Sequence, residues 1–290
     1  MRIRKRSVAL GIFDGVHLGH RAVMKMTENS GIPAVFTFNN TSLPTKQGRM
    51  IEYIYTDAQK ETLIRSLRIR EIFSENFFDI RNMSGSEFAE NIIVRKLGAA
   101  SVACGRDFRF GRDASCGINE LSALGRRYGF EVMVAEDVLC GGEPVSSGRI
   151  RSLLRQGDVT TAAELLDRSY MISGRIVHGR QIGRTLDFPT INQLFAEDQL
   201  IPCCGVYASE TVIGRYNYDS VTNIGVKPTV GGENKPLAET HIIGFNGDLY
   251  GRDINVELRR FLRPEVKFNS LEELREQISK DVSNSVLSNK

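Results

Sequence analysis

The feature that most limits how this chain folds is a change of rhythm at about Arg155. Before that point short apolar runs alternate with helix-forming stretches, and after it β-rich runs follow one another. Ser7 to Phe13, Ile32 to Phe38, Ala100 to Cys104 and Phe130 to Ala135 are short, apolar or β-branched, and read as buried strands. Leu18 to Ser30 and Asn119 to Tyr128 read as helices between them, while Thr56-Asp-Ala-Gln59 and Ser84-Gly-Ser-Glu87 match the capping box that opens a helix. This βαβ alternation predicts a Rossmann-like α/β domain whose parallel sheet is covered on both faces.

Gln156-Gly157-Asp158 punctuates the chain, and a short helix follows over Thr160 to Arg168. Met171 to Val177, Gly205 to Ile213, Ser220 to Val226, Ala238 to Phe245 and Ile254 to Leu258 are then separated by turn residues, which suits an antiparallel β-barrel with Asn246-Gly247 as a hairpin turn. Ser270-Leu-Glu-Glu273 opens a terminal helix with Leu271, Leu274 and Ile278 on one face. The expected domains are residues 1–157 and 158–290, each of ordinary size.

Composition narrows the function classes. Lys and Arg number 38 against 35 Asp and Glu, a formal charge of +3, too small to suggest a dedicated nucleic-acid binder. No run approaches the roughly 18 apolar residues of a membrane span, and the basic start meets Asp14 too soon for a signal peptide. The five cysteines lack CxxC spacing and include the adjacent Cys203 and Cys204, so neither a zinc site nor a disulfide framework is expected, and a cytoplasmic location fits.

The strongest local motif is Gly11-Ile-Phe-Asp-Gly-Val-His17-Leu-Gly19-His20. A strand ends in a turn carrying Gly11, Phe13, Asp14 and Gly15, and a helix begins with His17 and His20 on one face and Gly19 keeping a side chain out of the way. Helix-terminal N–H groups and imidazoles together suit a phosphate whose charge grows during transfer, whereas two imidazoles without a third ligand are incomplete as a metal site.

GIFDGVHLGH resembles the opening motif of the nucleotidyltransferase module of bifunctional riboflavin kinase/FAD synthetases. Gly105-Arg-Asp-Phe-Arg-Phe-Gly111 is similar to that family's GxDFxFG loop, which implies nucleotide or flavin contacts for Asp107 and Phe108. Ser146-Ser-Gly-Arg-Ile-Arg151 resembles its SSTxIR segment, and Ser146, Ser147, Arg149 and Arg151 supply hydroxyls and guanidinium forks for a triphosphate. Two departures stand out. Gly148 replaces the usual threonine, and Thr37-Phe-Asn39-Asn40-Thr41 lacks the family's PHP loop, leaving Asn39 and Asn40 as neutral donors in place of an imidazole.

In the second half Gly183-Arg-Thr-Leu-Asp-Phe-Pro189-Thr190-Ile191-Asn192 resembles the GRxxGFPTAN motif of riboflavin kinases, with Asp187 where the motif has a glycine. The chain has no GxxxxGK[ST], so phosphoryl transfer requires a barrel with its own magnesium site, for which Thr190 and Asn192 offer oxygen ligands beside Gly183. The resemblance implies Glu239 as the base for the ribityl hydroxyl, Arg263 at the border of the flavin pocket, and Asn223 to Thr229 as a loop over ATP.

The implied chain is an α/β nucleotidyltransferase domain followed by an antiparallel β-barrel riboflavin kinase domain with a C-terminal helix. It would convert riboflavin and ATP to FMN, then FMN and ATP to FAD, with Mg²⁺ as cofactor, ATP as co-substrate and no nucleic-acid or membrane partner; the oligomeric state stays open. The two departures leave open a kinase-only alternative with a degenerate nucleotidyltransferase module, and a non-enzymatic flavin-binding regulator is the third reading.

Overall fold

The computed structural model describes residues 5–42, 52–179, 183, 186–228 and 234–286. Two compact units divide the chain, Met1–Ser147 and Gly148–Lys290.

The first unit is built on strands β1 (Arg6–Leu10), β2 (Ile32–Phe38), β3 (Glu71–Glu75), β4 (Ala99–Gly105) and β5 (Glu131–Ala135). They form one parallel sheet in the order β3-β2-β1-β4-β5. Alternation along the strands feeds two cores. Val8, Leu10, Ala34 and Phe36 pack with Phe88, Ile92, Ile93 and Leu121 on one face, and Ala9, Val35 and Ala103 pack with Val23, Met24 and Ile64 on the other. The helices that supply these residues are α1 (Leu18–Lys25), α2 (Asp57–Ser66), a stretch running as α3 (Phe77–Ile80), α4 (Gly85–Glu87) and a π-helical Phe88–Lys96, and α5 (Ile118–Tyr128). Both expected capping boxes are present, at Thr56 and at Ser84. The helix expected to reach Ser30 ends at Lys25, because Thr27 and the polar residues after it turn the chain back towards β2.

A short hairpin, β6 (Leu139–Cys140) with β7 (Glu143–Pro144), precedes α6 (Ser147–Gln156) and α7 (Val159–Leu166), so the break expected after residue 157 falls between these two helices. The second unit then closes six strands into a barrel, β8 (Tyr170–Val177), β9 (Thr190–Leu194), β10 (Gly205–Ile213), β11 (Tyr216–Pro228), β12 (Asn234–Ile242) and β13 (Asp253–Arg263), in the order β10-β11-β12-β9-β8-β13. Its described neighbours all run antiparallel. Ile176, Ile242, Ile254 and Val256 form an apolar cluster, and a buried ladder of hydroxyls links Ser209, Thr211, Ser220, Thr222 and Thr240 at 2.8 to 2.9 Å. Helix α8 (Leu271–Val286) packs on β10 and β11.

Closure of the barrel corrects three readings. Asn246-Gly247 is not a hairpin turn, because β12 and β13 are not neighbours: β12 pairs with β11 and β9, and β13 with β10 and β8. Asn223 to Pro228 continue β11 rather than forming a loop, since β12 pairs with them residue by residue; Thr229 lies outside the described residues. Leu271 is exposed, and α8 instead buries Asp281 and Ser285, whose polar groups are matched by Arg263 and by the Ser220 carbonyl.

Candidate active sites

In the first unit β2 leads on one side of β1 and β4 begins the other, so the order of connection reverses between β1 and β4. A crevice outside the carboxyl ends of the strands at such a point is where open α/β sheets bind ligands. Residues Gly11 to His20 leave β1 there and Arg106 to Gly111 leave β4 beside them.

The turn after β1 is tightly wound. Phe13, Gly15 and Val16 all take positive φ, and Phe13 and Val16 are buried beneath it, which fixes the backbone from inside. The buried Asp14 carboxylate accepts the Ile54 N–H at 2.9 Å, and the Asp14 carbonyl accepts the Ser147 hydroxyl at 2.8 Å. His17 caps α1, its Nδ1 accepting the His20 N–H at 3.4 Å. The His17 and His20 rings stack at 3.5 Å between centroids, with Phe13 edge-on to His20. A side chain at Gly19 would press on the His17 ring at 3.2 Å. Sequence-distant pieces therefore meet here: the histidine turn, and Ser147 at the start of α6. Arg149 and Arg151 follow in the first turns of α6, and Ser146 precedes it, exposed.

Asp107 and Phe108 sit in the loop after β4, where the Phe108 N–H donates to the Gly105 carbonyl and the Phe108 ring stacks on Phe110 at 5.8 Å. Burial, with the Asp107 carboxylate adding to it, pushes the Cys104 thiol up to about 11, so Cys104 is a packed apolar group.

Asn39 and Asn40 are both held by neighbouring side chains at the end of β2. Asn40 is buried, with its side-chain amide donating to the Tyr55 carbonyl at 3.0 Å and its oxygen accepting from Lys60 Nζ at 3.0 Å; Lys60 also pairs with Asp57 at 2.9 Å. The Asn39 side chain accepts from the Ser74 hydroxyl. Both asparagines anchor the exit of β2.

In the second unit the candidate residues gather on the outer face of β9, β12 and β11. Thr190 faces His241, and Asn192 faces Glu239, which in turn faces Asn223. Asn192 is 3% exposed, and its Oδ1 has no hydrogen-bond partner among the described residues. A Cβ at Gly179 would lie 2.5 Å from the Asn192 amide, so only glycine lets that side chain settle there. Gly183 is equally constrained, since a Cβ would come 2.3 Å from the Phe188 carbonyl oxygen in the turn that delivers Thr190. His241 holds the same turn, with Nδ1 at 2.9 Å from the Pro189 carbonyl and its ring edge-on to Phe188.

A cavity of about 730 Å³ opens at Thr190, with Ile176, Ile242, Phe245 and Tyr250 as apolar walls and Asp187 and Asp248 as charged ones. Glu239 and Asn192 are not in its lining; Asn192 lies two residues along β9 from Thr190, about 7 Å away, and Glu239 stands opposite Asn192 on β12. Arg263 is bound to the buried Asp281, Nη2 to Oδ2 at 2.7 Å, and joins β13 to α8. Glu265 in the segment after it accepts from Asn223 at 3.2 Å. Sequence reasoning missed Gly179 and His241, whose positions depend on barrel register.

A FAD synthetase family model matches residues 2–149 and a riboflavin kinase family model matches residues 166–287. The chain belongs to the bifunctional riboflavin kinase/FMN adenylyltransferase family. The Escherichia coli (strain K12) bifunctional riboflavin kinase/FMN adenylyltransferase is 34% identical over 289 residues, spanning 94% of this chain and 90% of that one. The Pseudomonas fluorescens member of the family is 32% identical over 287 residues with the same coverage. A crystal structure from Streptococcus pneumoniae, described as a macrolide-efflux protein, covers 98% of this chain and 95% of its own with a TM-score of 0.86 at 26% identity. Among the described residues of this riboflavin kinase/FMN adenylyltransferase family member no helix is long and apolar enough to cross a membrane. Both family models match in full sequence order, so the family assignment does not favour a kinase-only reading.

Proposed function

We propose that the family's two reactions are divided between the two units: the barrel converts riboflavin and ATP to FMN and ADP, and the α/β unit converts FMN and ATP to FAD and pyrophosphate. The observation that carries the barrel assignment is the pairing of Asn192, whose buried oxygen has no partner among the described residues, directly opposite Glu239.

In the barrel, the cavity takes the nucleotide and Thr190 meets its phosphates. Thr190 and Asn192 are the residues that would hold Mg²⁺: both offer neutral oxygens on one strand face, and the orphaned Asn192 oxygen suits a hard cation. When bound, the cation neutralises phosphate charge. Glu239 takes the proton from the ribityl hydroxyl as its oxygen bonds to the γ-phosphorus and the bond to the ADP oxygen breaks. Asn223 and Asn192 flank Glu239 and hold its strand position.

In the α/β unit, an FMN phosphate oxygen attacks the α-phosphorus of ATP and pyrophosphate leaves. His17 and His20 stabilise the charge on the phosphates, and the start of α1 supplies N–H groups. Gly11, Phe13, Asp14, Gly15 and Gly19 shape the turn; Ser146 and Ser147 border it; Asp107 and Phe108 face the flavin or adenine side; Gly183 shapes the barrel's phosphate turn, and Arg263 supports the flavin pocket by fixing α8.

Incubation of the protein with riboflavin, ATP and Mg²⁺, with chromatographic separation of riboflavin, FMN and FAD, tests the pair of activities. FMN followed by FAD is expected; FMN alone would remove the adenylyltransferase assignment, and no conversion would remove both.

A further inference from the structure

Asp187 occupies an unusual place. Its φ is +68°, a left-handed conformation in which glycine is unstrained and aspartate is tolerated, and its carboxylate lines the cavity that opens at Thr190. A carboxylate facing a polyphosphate is repulsive unless a cation compensates it. The compensating group comes from α8: Arg275 Nη2 lies 2.7 Å from Asp187 Oδ2. Both side chains are largely exposed, 58% for Arg275 and 76% for Asp187, so the pair is weak and exchangeable.

We propose that Arg275 is a polyphosphate-binding residue of the barrel, parked by Asp187 at the cavity wall, and that the nucleotide competes with Asp187 for it. The inference rests on reading the cavity as the ATP pocket. A guanidinium has five N–H donors in a planar fork and prefers a multiply charged phosphate to a single solvated carboxylate. Asp187 holds the flexible Arg275 side chain one hydrogen bond from the cavity, which lowers the entropy lost when phosphate arrives, but it also withholds the guanidinium in part. Arg275 thereby sets the apparent affinity of the kinase for ATP from α8, which lines no part of the cavity and reaches it through Asp187.

A simpler rival is that Arg275 only neutralises Asp187 and never touches nucleotide. The two differ in one comparison, KM for ATP in FMN formation by Asp187→Gly and by the Asp187→Gly/Arg275→Ala double variant. Glycine at this φ keeps the turn, and melting temperatures verify that both variants fold. With the competing carboxylate gone, the proposal expects Asp187→Gly to lower KM for ATP, and the double variant to show a KM roughly threefold to fivefold above Asp187→Gly. Equal KM values in those two variants overturn it. FAD formation from added FMN is the internal control and stays unchanged in both. Thr190→Ala separates the underlying reading: if it raises KM for ATP while the Arg275 comparison shows no difference, the ATP pocket stands and the role of Arg275 falls; if Thr190→Ala also leaves KM unchanged, both fall.

Discussion

Asn192 and Glu239 stand directly opposite each other across β9 and β12, one buried with an oxygen unpartnered among the described residues and the other a half-buried carboxylate. Neutral oxygen and carboxylate on one strand face permit a division of labour between holding a metal-bound nucleotide and taking a proton. Asn192→Ala removes an oxygen but no base, so KM for Mg·ATP in FMN formation is expected to rise tenfold or more, with a smaller fall in kcat. A titration of rate against Mg²⁺ at fixed ATP checks this; an unchanged Mg²⁺ requirement contradicts the placement.

His20→Ala should abolish FAD formation and leave FMN formation intact. The loss expected for one positioned donor at a phosphoryl centre is about 100-fold to 1,000-fold. Because the stacked His17 ring loses its partner as well, His20→Gln is the control that keeps a polar side chain of similar reach. Equal loss of FMN and FAD would place His20 in the folding of the whole chain.

Replacing Asn40 by histidine is expected to destabilise the first unit and not to improve FAD formation. The swap breaks the bonds to the Tyr55 carbonyl and from Lys60, whose ammonium keeps Asp57 and the Phe38 carbonyl, and puts a larger ring into a buried site, at about 1 kcal/mol for each hydrogen bond lost. Urea unfolding of the variant measures the loss, and a gain in FAD synthesis with unchanged stability would contradict the anchoring role.

A fragment from Gly148 to Lys290 should fold and phosphorylate riboflavin, and one beginning at Thr160 should be less stable. The longer fragment keeps the α6 carbonyl of Leu154 that accepts the Cys203 N–H at 2.9 Å, and the Asp158 cap of α7. Loss of that cap alone costs about 1 kcal/mol. Comparison of their melting temperatures checks the order.

The Cys104 thiol gives a prediction in pH. Its folded value of about 11 lies above the ordinary 9.0, so the stability it contributes is complete below pH 9 and is lost as pH rises towards 11, while the unfolded chain ionises first. In Cys104→Ala that segment of the pH–stability curve should flatten, and an unchanged slope between pH 9 and 11 would count against it.

How much of this was legible in the sequence follows from the range of the interactions involved. The histidine turn could be read because its geometry is local: a strand end, left-handed residues and a helix cap fall within ten residues. The capping boxes at Thr56 and Ser84 were visible for the same reason. Strand β3 escaped because Glu71, Ser74 and Glu75 give a half-buried sheet edge too polar to read as a strand. Strand β9 is not among the strands expected from the sequence, since five residues after a proline carry little periodicity and pair only once the barrel closes. Thr190, Asn192 and Glu239 were nameable from the motif, but that Asn192 is buried against Gly179 and faces Glu239 is a matter of register between distant strands. Asp187 could be seen as a departure, whereas its partner Arg275, 88 residues away, could not.

The central claim is that Glu239 is the base of the barrel's phosphoryl transfer, and Glu239→Gln tests it most directly. The substitution keeps size and hydrogen-bonding capacity and removes the proton acceptor. Measured at saturating riboflavin and Mg·ATP, FMN formation should fall by about 100-fold or more while KM for ATP and FAD formation from added FMN stay near their original values. Near-normal FMN turnover in Glu239→Gln would contradict the account.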